Sequence, residues 1–185
     1  GMLRKKILEK LPFRLTAAQE KVLGEIYADQ GSGFRMLRLL QGDVGAGKTV
    51  VALMTMLNAV ECGTQAAIMA PTEILAKQHM ETIQPLCEEI GIRAELLCGR
   101  TKGKTRTQIL EDLESGRINI LIGTHALFQD DVKFKDLACA IVDEQHRFGV
   151  HQRLGLSSKG NKADVLVMTA TPIPRTLVLT AYGLS

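Results

Sequence analysis

The sequence predicts an α/β fold, a mainly parallel β-sheet flanked by helices on both faces, and three features of its 185 residues predict it. Short apolar runs alternate with longer amphipathic ones, as in chains where strand and helix follow each other in turn. Most of the short runs are apolar throughout, which suits strands covered on both sides, since neither face is left to water. The glycine-rich stretch "GDVGAGKT", Gly42 to Thr49, falls between one such run and one amphipathic segment. An apolar content of 45% over this length is sufficient for one domain with a core of its own.

The elements follow in order. Residues 1–14 open with "GMLRKKILEKLP", a basic stretch with no strong turn of its own, and are expected to be a connector or N-terminal extension; the domain proper is expected over 15–185. A helix is predicted from Ala17 to Ala28, where Thr16 and Gln19 form the T-x-x-Q spacing of a capping box. The apolar run Met36 to Leu40 predicts the first strand, and Thr49 to Glu61 the helix after the glycines. A strand at Ala66 to Ala70 leads through Pro71 and Thr72, residues suited to a helix start, into a helix over Ile74 to Glu89. Pro85 should break or bend that helix, because it removes a backbone donor. Further strands are predicted at Ala94 to Cys98, Ile118 to Ile122, Ala138 to Val142 and Val165 to Thr169, with a helix over Lys104 to Glu114. Gly63, Gly91 and Gly116 each follow a helix closely, where a left-handed cap residue is wanted.

Bulk charge says little about partners: 23 basic against 20 acidic residues give a net +3, so any basic surface must be local. Cys62, Cys87, Cys98 and Cys139 show no C-x-x-C spacing, which argues against zinc and disulfide frameworks and for a reducing, cytoplasmic setting. The longest apolar run, "TVVALMTMLNAV", is interrupted by Thr and Asn and falls short of the roughly 20 residues a spanning helix needs, so no membrane partner is expected.

"GDVGAGKT" matches G-x-x-x-x-G-K-[ST] in full. Gly42, Gly45 and Gly47 let the backbone curl, so that the amides of Gly42, Asp43, Val44, Gly45, Ala46 and Gly47 and the positive end of the following helix face a phosphate. Lys48 then reaches the outer phosphates, and Thr49 offers a hydroxyl to Mg²⁺, a hard cation that takes oxygen ligands. No G-x-G-x-x-G occurs, which sets aside a dinucleotide fingerprint. "IVDEQHRFGV", Ile141 to Val150, places Asp143 and Glu144 at the end of an apolar strand. Alone the pair could be a solvated strand end. Beside a phosphate loop, Asp143 is expected to hold the Mg²⁺ shell and Glu144 to orient the attacking water.

Taken in order, "GDVGAGKT", "PTEILAKQH", "GTHALFQ", "VDEQHRFGV" and "MTATPIPRT" resemble the first motor domain of a superfamily 2 helicase over nearly the whole chain. "DEQHRFGVHQR" followed by "TATPIPRT" is most similar to RecG-type branched-DNA helicases. Transcription-repair coupling translocases and replication-restart helicases resemble it less well at Gln145 and His146. The resemblance implies a RecA-like P-loop NTPase domain that uses ATP and Mg²⁺. It implies that Gln19 reads adenine, although the same residue is accounted for by the capping box. It implies phosphate-backbone contacts with DNA from Pro71 and Thr72, Gly99 and Arg100, and Thr124 and His125, where a well-capped helix start explains the first pair equally. Gln145, His146, Thr169 and Thr171 would couple hydrolysis to movement. The basic run "RTKGKTR", Arg100 to Arg106, has no aromatic residue for stacking bases, so it suits phosphate contact or simple solvation.

The resemblance further implies partners: branched DNA such as forks and junctions, a second RecA-like domain that supplies arginines, and a junction-binding domain, neither of which has matching residues in this chain. By itself the chain is therefore expected to be monomeric, to bind ATP weakly and to hydrolyse it slowly. Two other functions share these motifs, an RNA helicase domain and a nucleotide-dependent interaction module; Glu144 speaks against the module, which has no use for a water-orienting carboxylate.

Overall fold

Among the described residues six strands form one sheet in the order β1-β6-β5-β2-β4-β3, and their pairings are all parallel. They are β1 (Leu37–Gln41), β2 (Gln65–Met69), β3 (Ala94–Leu97), β4 (Ile120–Gly123), β5 (Leu137–Glu144) and β6 (Asp164–Thr169). The helices are α1 (Met2–Lys10), α2 (Ala17–Gln30), α3 (Ala46–Glu61), α4 (Glu73–Glu89) and α5 (Gly103–Glu114), with a 3₁₀ turn at His125–Phe128. This computed structural model describes residues 2–11, 14–32, 37–41, 46–144 and 163–169, with backbone alone for 37–41, 46, 47 and 128.

Strand residues alternate between two apolar clusters, as the twofold period of a strand requires. Ala66, Ile68, Ile120, Ile122, Ile141, Leu166 and Met168 face the cluster built with α1 to α4. Ala67, Met69, Leu121, Ala140, Val142, Val165 and Val167 face the one built with Ile109 and Leu113 of α5. Both faces of the sheet are thus covered, and the uniformly apolar runs are explained. Predicted strand limits hold to within two residues.

The N-terminal stretch, read as a connector, carries α1, whose Ile7 is fully buried in the first cluster. Arg4 fastens it: the backbone amide donates to Glu61 Oε1 at 3.0 Å, the guanidinium lies 3.3 Å from Glu61 Oε2, and the same group stacks 4.3 Å over the Tyr27 ring. Pro85 does not end α4, which runs through it. Pro85 and Glu81, whose carbonyl loses its helical donor, are exposed, so water can serve the carbonyl. Meanwhile Ala76, His79, Ile83 and Cys87 stay buried along the opposite stripe. Gly63, Gly91 and Gly116 take positive φ of 83°, 76° and 86°, as expected of residues that close helices.

Two polar groups tie the amino-terminal edge of the sheet. Gln65, 4% exposed, donates through Nε2 to the carbonyls of Leu113 and Ile118, both at 2.8 Å, and accepts from the Asp136 amide at 2.9 Å. Gln65→Leu would leave the Ile118 carbonyl and the Asp136 amide without their partner, while the Leu113 carbonyl keeps the Gly116 amide, and is expected to cost about 1–3 kcal/mol in urea unfolding. Asp112 of α5 receives Arg93 at 2.7 Å, Arg117 at 3.0 Å and Gln108 at 3.0 Å. The Arg93 hydrogen bond, which outweighs the opposing effect of burial, holds its carboxyl below the ordinary value of 3.8. A depressed carboxyl contributes stability above its unfolded value and loses it as pH falls through the folded one. Asp112→Asn is therefore expected to destabilise the fold at neutral pH, with the gap to wild type closing as pH falls below about 3.8.

Candidate nucleotide and nucleic-acid site

The carboxyl ends of the strands form one edge of the sheet, and all the candidate residues that are described, except Gln19, lie along it, where parallel sheets bind ligands. Strand order divides that edge. β1, β6 and β5 stand together, so α3 with Lys48 and Thr49 in its first turns, Asp143 and Glu144 ending β5, and Thr169 ending β6 share one half. β2, β4 and β3 stand together on the other, which gathers Pro71 and Thr72, Thr124 and His125, and Gly99 and Arg100.

In the first half, the register pairs Asp143 with Met168 and Glu144 with Thr169. Lys48 Nζ donates to the Thr169 carbonyl at 3.2 Å. Thr169 closes β6, the strand paired with the one that ends in the two acids, about 4.8 Å away. Ala46 and Gly47 open α3, and Thr49 is half-buried on it. Gly42, Asp43, Val44 and Gly45, together with Gln145, His146 and Thr171, lie outside the described residues.

Asp143 has a neighbour that its sequence context did not announce. His79 Nε2 sits 2.7 Å from Asp143 Oδ2, across 64 positions of sequence. An ionised carboxylate only accepts, so the imidazole donates through Nε2. A signal was present in the sequence: His79 shares the α4 stripe of Ala76, Ile83 and Cys87, and a polar group on a buried stripe needs a partner.

In the second half, Thr72 caps α4 by accepting from the Leu75 amide at 3.2 Å. Glu73, next along, meets Arg100 at 3.3 Å and lies where a Cβ on Gly99 would come within 3.3 Å of its Oε1. Two segments well separated in sequence therefore touch. The side chain of Arg100 remains 81% exposed. Thr124 is buried, its hydroxyl turned onto the Ala126 amide at 3.4 Å, so of "GTH" only His125 presents a side chain to solvent. Within the basic run, Arg106 is taken up by Asp131 at 2.7 Å and Gln129 at 2.8 Å, while Lys102 and Lys104 stay exposed.

Gln19 stands apart on α2, where both halves of the capping box form: its amide donates to Thr16 Oγ1 at 3.1 Å and its Oε1 accepts from the Thr16 amide at 2.8 Å. Among the described residues its Nε2 makes no hydrogen bond.

The family model for DEAD/DEAH box helicases matches residues 16–179. The chain belongs to that family. Within the DEAD/DEAH box helicases it is similar to proteins named ATP-dependent DNA helicase RecG: 54% identical to that of Bacillus subtilis over 96% of this chain, 53% to that of Pasteurella multocida over 98%, and 50% to that of Escherichia coli K12 over 98%. It spans about a quarter of those relatives, 26–27% of their length. Among solved structures, RecG bound to a three-way DNA junction superposes with a TM-score of 0.82 at 46% identity, covering 99% of this chain and 24% of that one. The S. cerevisiae Dbp5 protein, in a complex holding ADP, superposes at 0.71 and 19% identity over 98% of this chain and 49% of its own, a likeness of fold alone. The RecA-like architecture expected from the sequence is the one observed, and its helicase family depends on ATP. Among the described residues no helix is long and apolar enough to cross a membrane.

Proposed function

We propose that this chain is the ATP-binding half of an ATP-dependent DNA helicase or translocase that remodels branched DNA, such as stalled forks and Holliday junctions, in recombination and repair. The observation that carries this reading is the contact of Lys48 with Thr169, because it brings a phosphate-binding lysine beside the strand that ends in Asp143 and Glu144. The identity to RecG proteins and the likeness to RecG on a three-way junction support branched DNA as the substrate.

In this reading the amides of Gly42 to Gly47 cradle the phosphates and Lys48 neutralises the outer ones. Thr49 and Asp143 hold Mg²⁺; one hydroxyl and one carboxylate fit a cation that takes its remaining oxygens from phosphate and water. When bound, the ion offsets charge on the β- and γ-phosphates. Glu144 orients the water and accepts its proton. Thr169, with Gln145, His146 and Thr171, transmits the result, and Pro71, Thr72, Gly99, Arg100 and His125 form the face toward the DNA backbone, while the buried Thr124 supports His125 by capping the turn. A second RecA-like domain and a junction-binding domain of the same polypeptide complete the machine, in the cytoplasm.

Gln19 serves adenine as well as the helix cap, since only its Oε1 is occupied by the cap. Gln19→Glu keeps that acceptor and removes the amide donor. Unchanged thermal stability with a lost preference for ATP over GTP is expected; a preserved preference would return Gln19 to capping alone. For the function as a whole, the ATPase rate of the protein carrying this chain should rise with forked DNA and not with duplex RNA. Equal stimulation by RNA would replace the DNA motor with an RNA helicase.

A further inference from the structure

We propose that His79 is a positioning residue for Asp143, holding the carboxylate in the orientation from which it meets the cation of a bound nucleotide. The inference rests on the reading of Asp143 as a Mg²⁺ holder. Asp143 is the penultimate residue of β5, its side chain 18% exposed, and strand backbone alone does not fix the carboxylate, because the terminal torsion of an aspartate is broad. His79 removes that freedom. Its Nε2 approaches Oδ2 to 2.7 Å, the short range of hydrogen bonds to charged acceptors, and leaves the second oxygen for the cation and its waters.

The imidazole is itself fixed. It is 9% exposed and sits on α4 between Ala76 and Ile83, both fully buried, so it cannot follow Asp143 if the carboxylate turns. An aliphatic side chain would pack this stripe without the cost of burying a polar ring. Placement matters too: α4 begins at Thr72, on the β2-β4-β3 half of the edge, and His79 is about 10 Å further along the helix, where it reaches Asp143 on the other half. Groups that orient a metal-holding side chain typically change metal affinity by about 10- to 100-fold when lost.

The test titrates Mg²⁺ into the 185-residue chain with N-methylanthraniloyl-ADP and follows its fluorescence, beside the same nucleotide in EDTA. His79→Phe retains bulk without a donor, His79→Gln retains a donor, and Asp143→Asn is the reference. Expected are a Mg²⁺ half-saturation raised about 10-fold or more in His79→Phe, recovery in His79→Gln, and metal-free affinity equal to wild type in both. If Asp143→Asn shifts the Mg²⁺ requirement and His79→Phe does not, Asp143 keeps its role and His79 loses the one assigned to it. If neither shifts it, the assignment of Asp143 falls first and takes this inference with it. Equal losses with and without Mg²⁺ in His79→Phe would make the residue mere packing and overturn the proposal.

Discussion

Replacing Glu144 with Gln is expected to slow ATP turnover by about 10²- to 10⁴-fold in the protein carrying this chain, the usual worth of a positioned general base. At 1.36 kcal/mol for each tenfold, that is about 3–5 kcal/mol of barrier. The substitution keeps shape and hydrogen-bonding capacity and removes the proton acceptor, so nucleotide binding should stay near wild type. Glu144 is the register partner of Thr169, whose carbonyl receives Lys48, the lysine proposed to meet the phosphates. Single-turnover hydrolysis measured beside equilibrium binding of a labelled nucleotide checks both halves. Unaltered hydrolysis would mean that the base lies elsewhere, and would reopen the interaction-module reading.

Gly123→Ala is expected to destabilise the fold by about 1–3 kcal/mol or more, as overpacking does when the obstacle cannot move. A Cβ there would stand 2.2 Å from the Leu97 carbonyl oxygen and 2.9 Å from Leu127 Cδ2. The first obstacle is backbone of the paired strand β3, so relief requires β3 and β4 to separate at the end where Gly99, Arg100 and His125 gather. Urea unfolding checks the stability. Gly63→Ala is a useful contrast: its Cβ would meet nothing within 4 Å, and only the positive φ of 83° opposes it.

Much of the fold was legible because a strand buried on both faces must be apolar, and runs such as Ala66 to Ala70, Ala138 to Val142 and Val165 to Met168 are hard to miss. α1 was not, because nine residues with one fully buried side chain carry a weak amphipathic signal; its partners, Glu61 and Tyr27, are supplied by other helices. Pro85, expected to break or bend α4, does not break it, for a related reason. A missing backbone donor breaks a helix only where nothing else compensates, and here Glu81 and Pro85 lie on the exposed side while the buried stripe holds α4 together. In the candidate site, the residues proposed for phosphate and cation stand out by residue type and spacing alone. The contact of His79 with Asp143 spans 64 positions and depends on how α4 lies against β5, which no local pattern encodes.

Local chemistry alone determined which segments are candidates for chemistry: a glycine-rich stretch ending in Lys48 and Thr49, acids closing a buried strand, capped helix starts at Thr16 and Thr72. Along the chain these segments come interleaved, at residues 42–49, 71–72, 99–100, 124–125, 143–144 and 169. Only the strand order β1-β6-β5-β2-β4-β3 sorts them into a half built around Lys48 and the acids and a half built around Thr72, Arg100 and His125. That order is decided by which apolar faces pack together across the whole sheet, a long-range choice that residue type and spacing leave open.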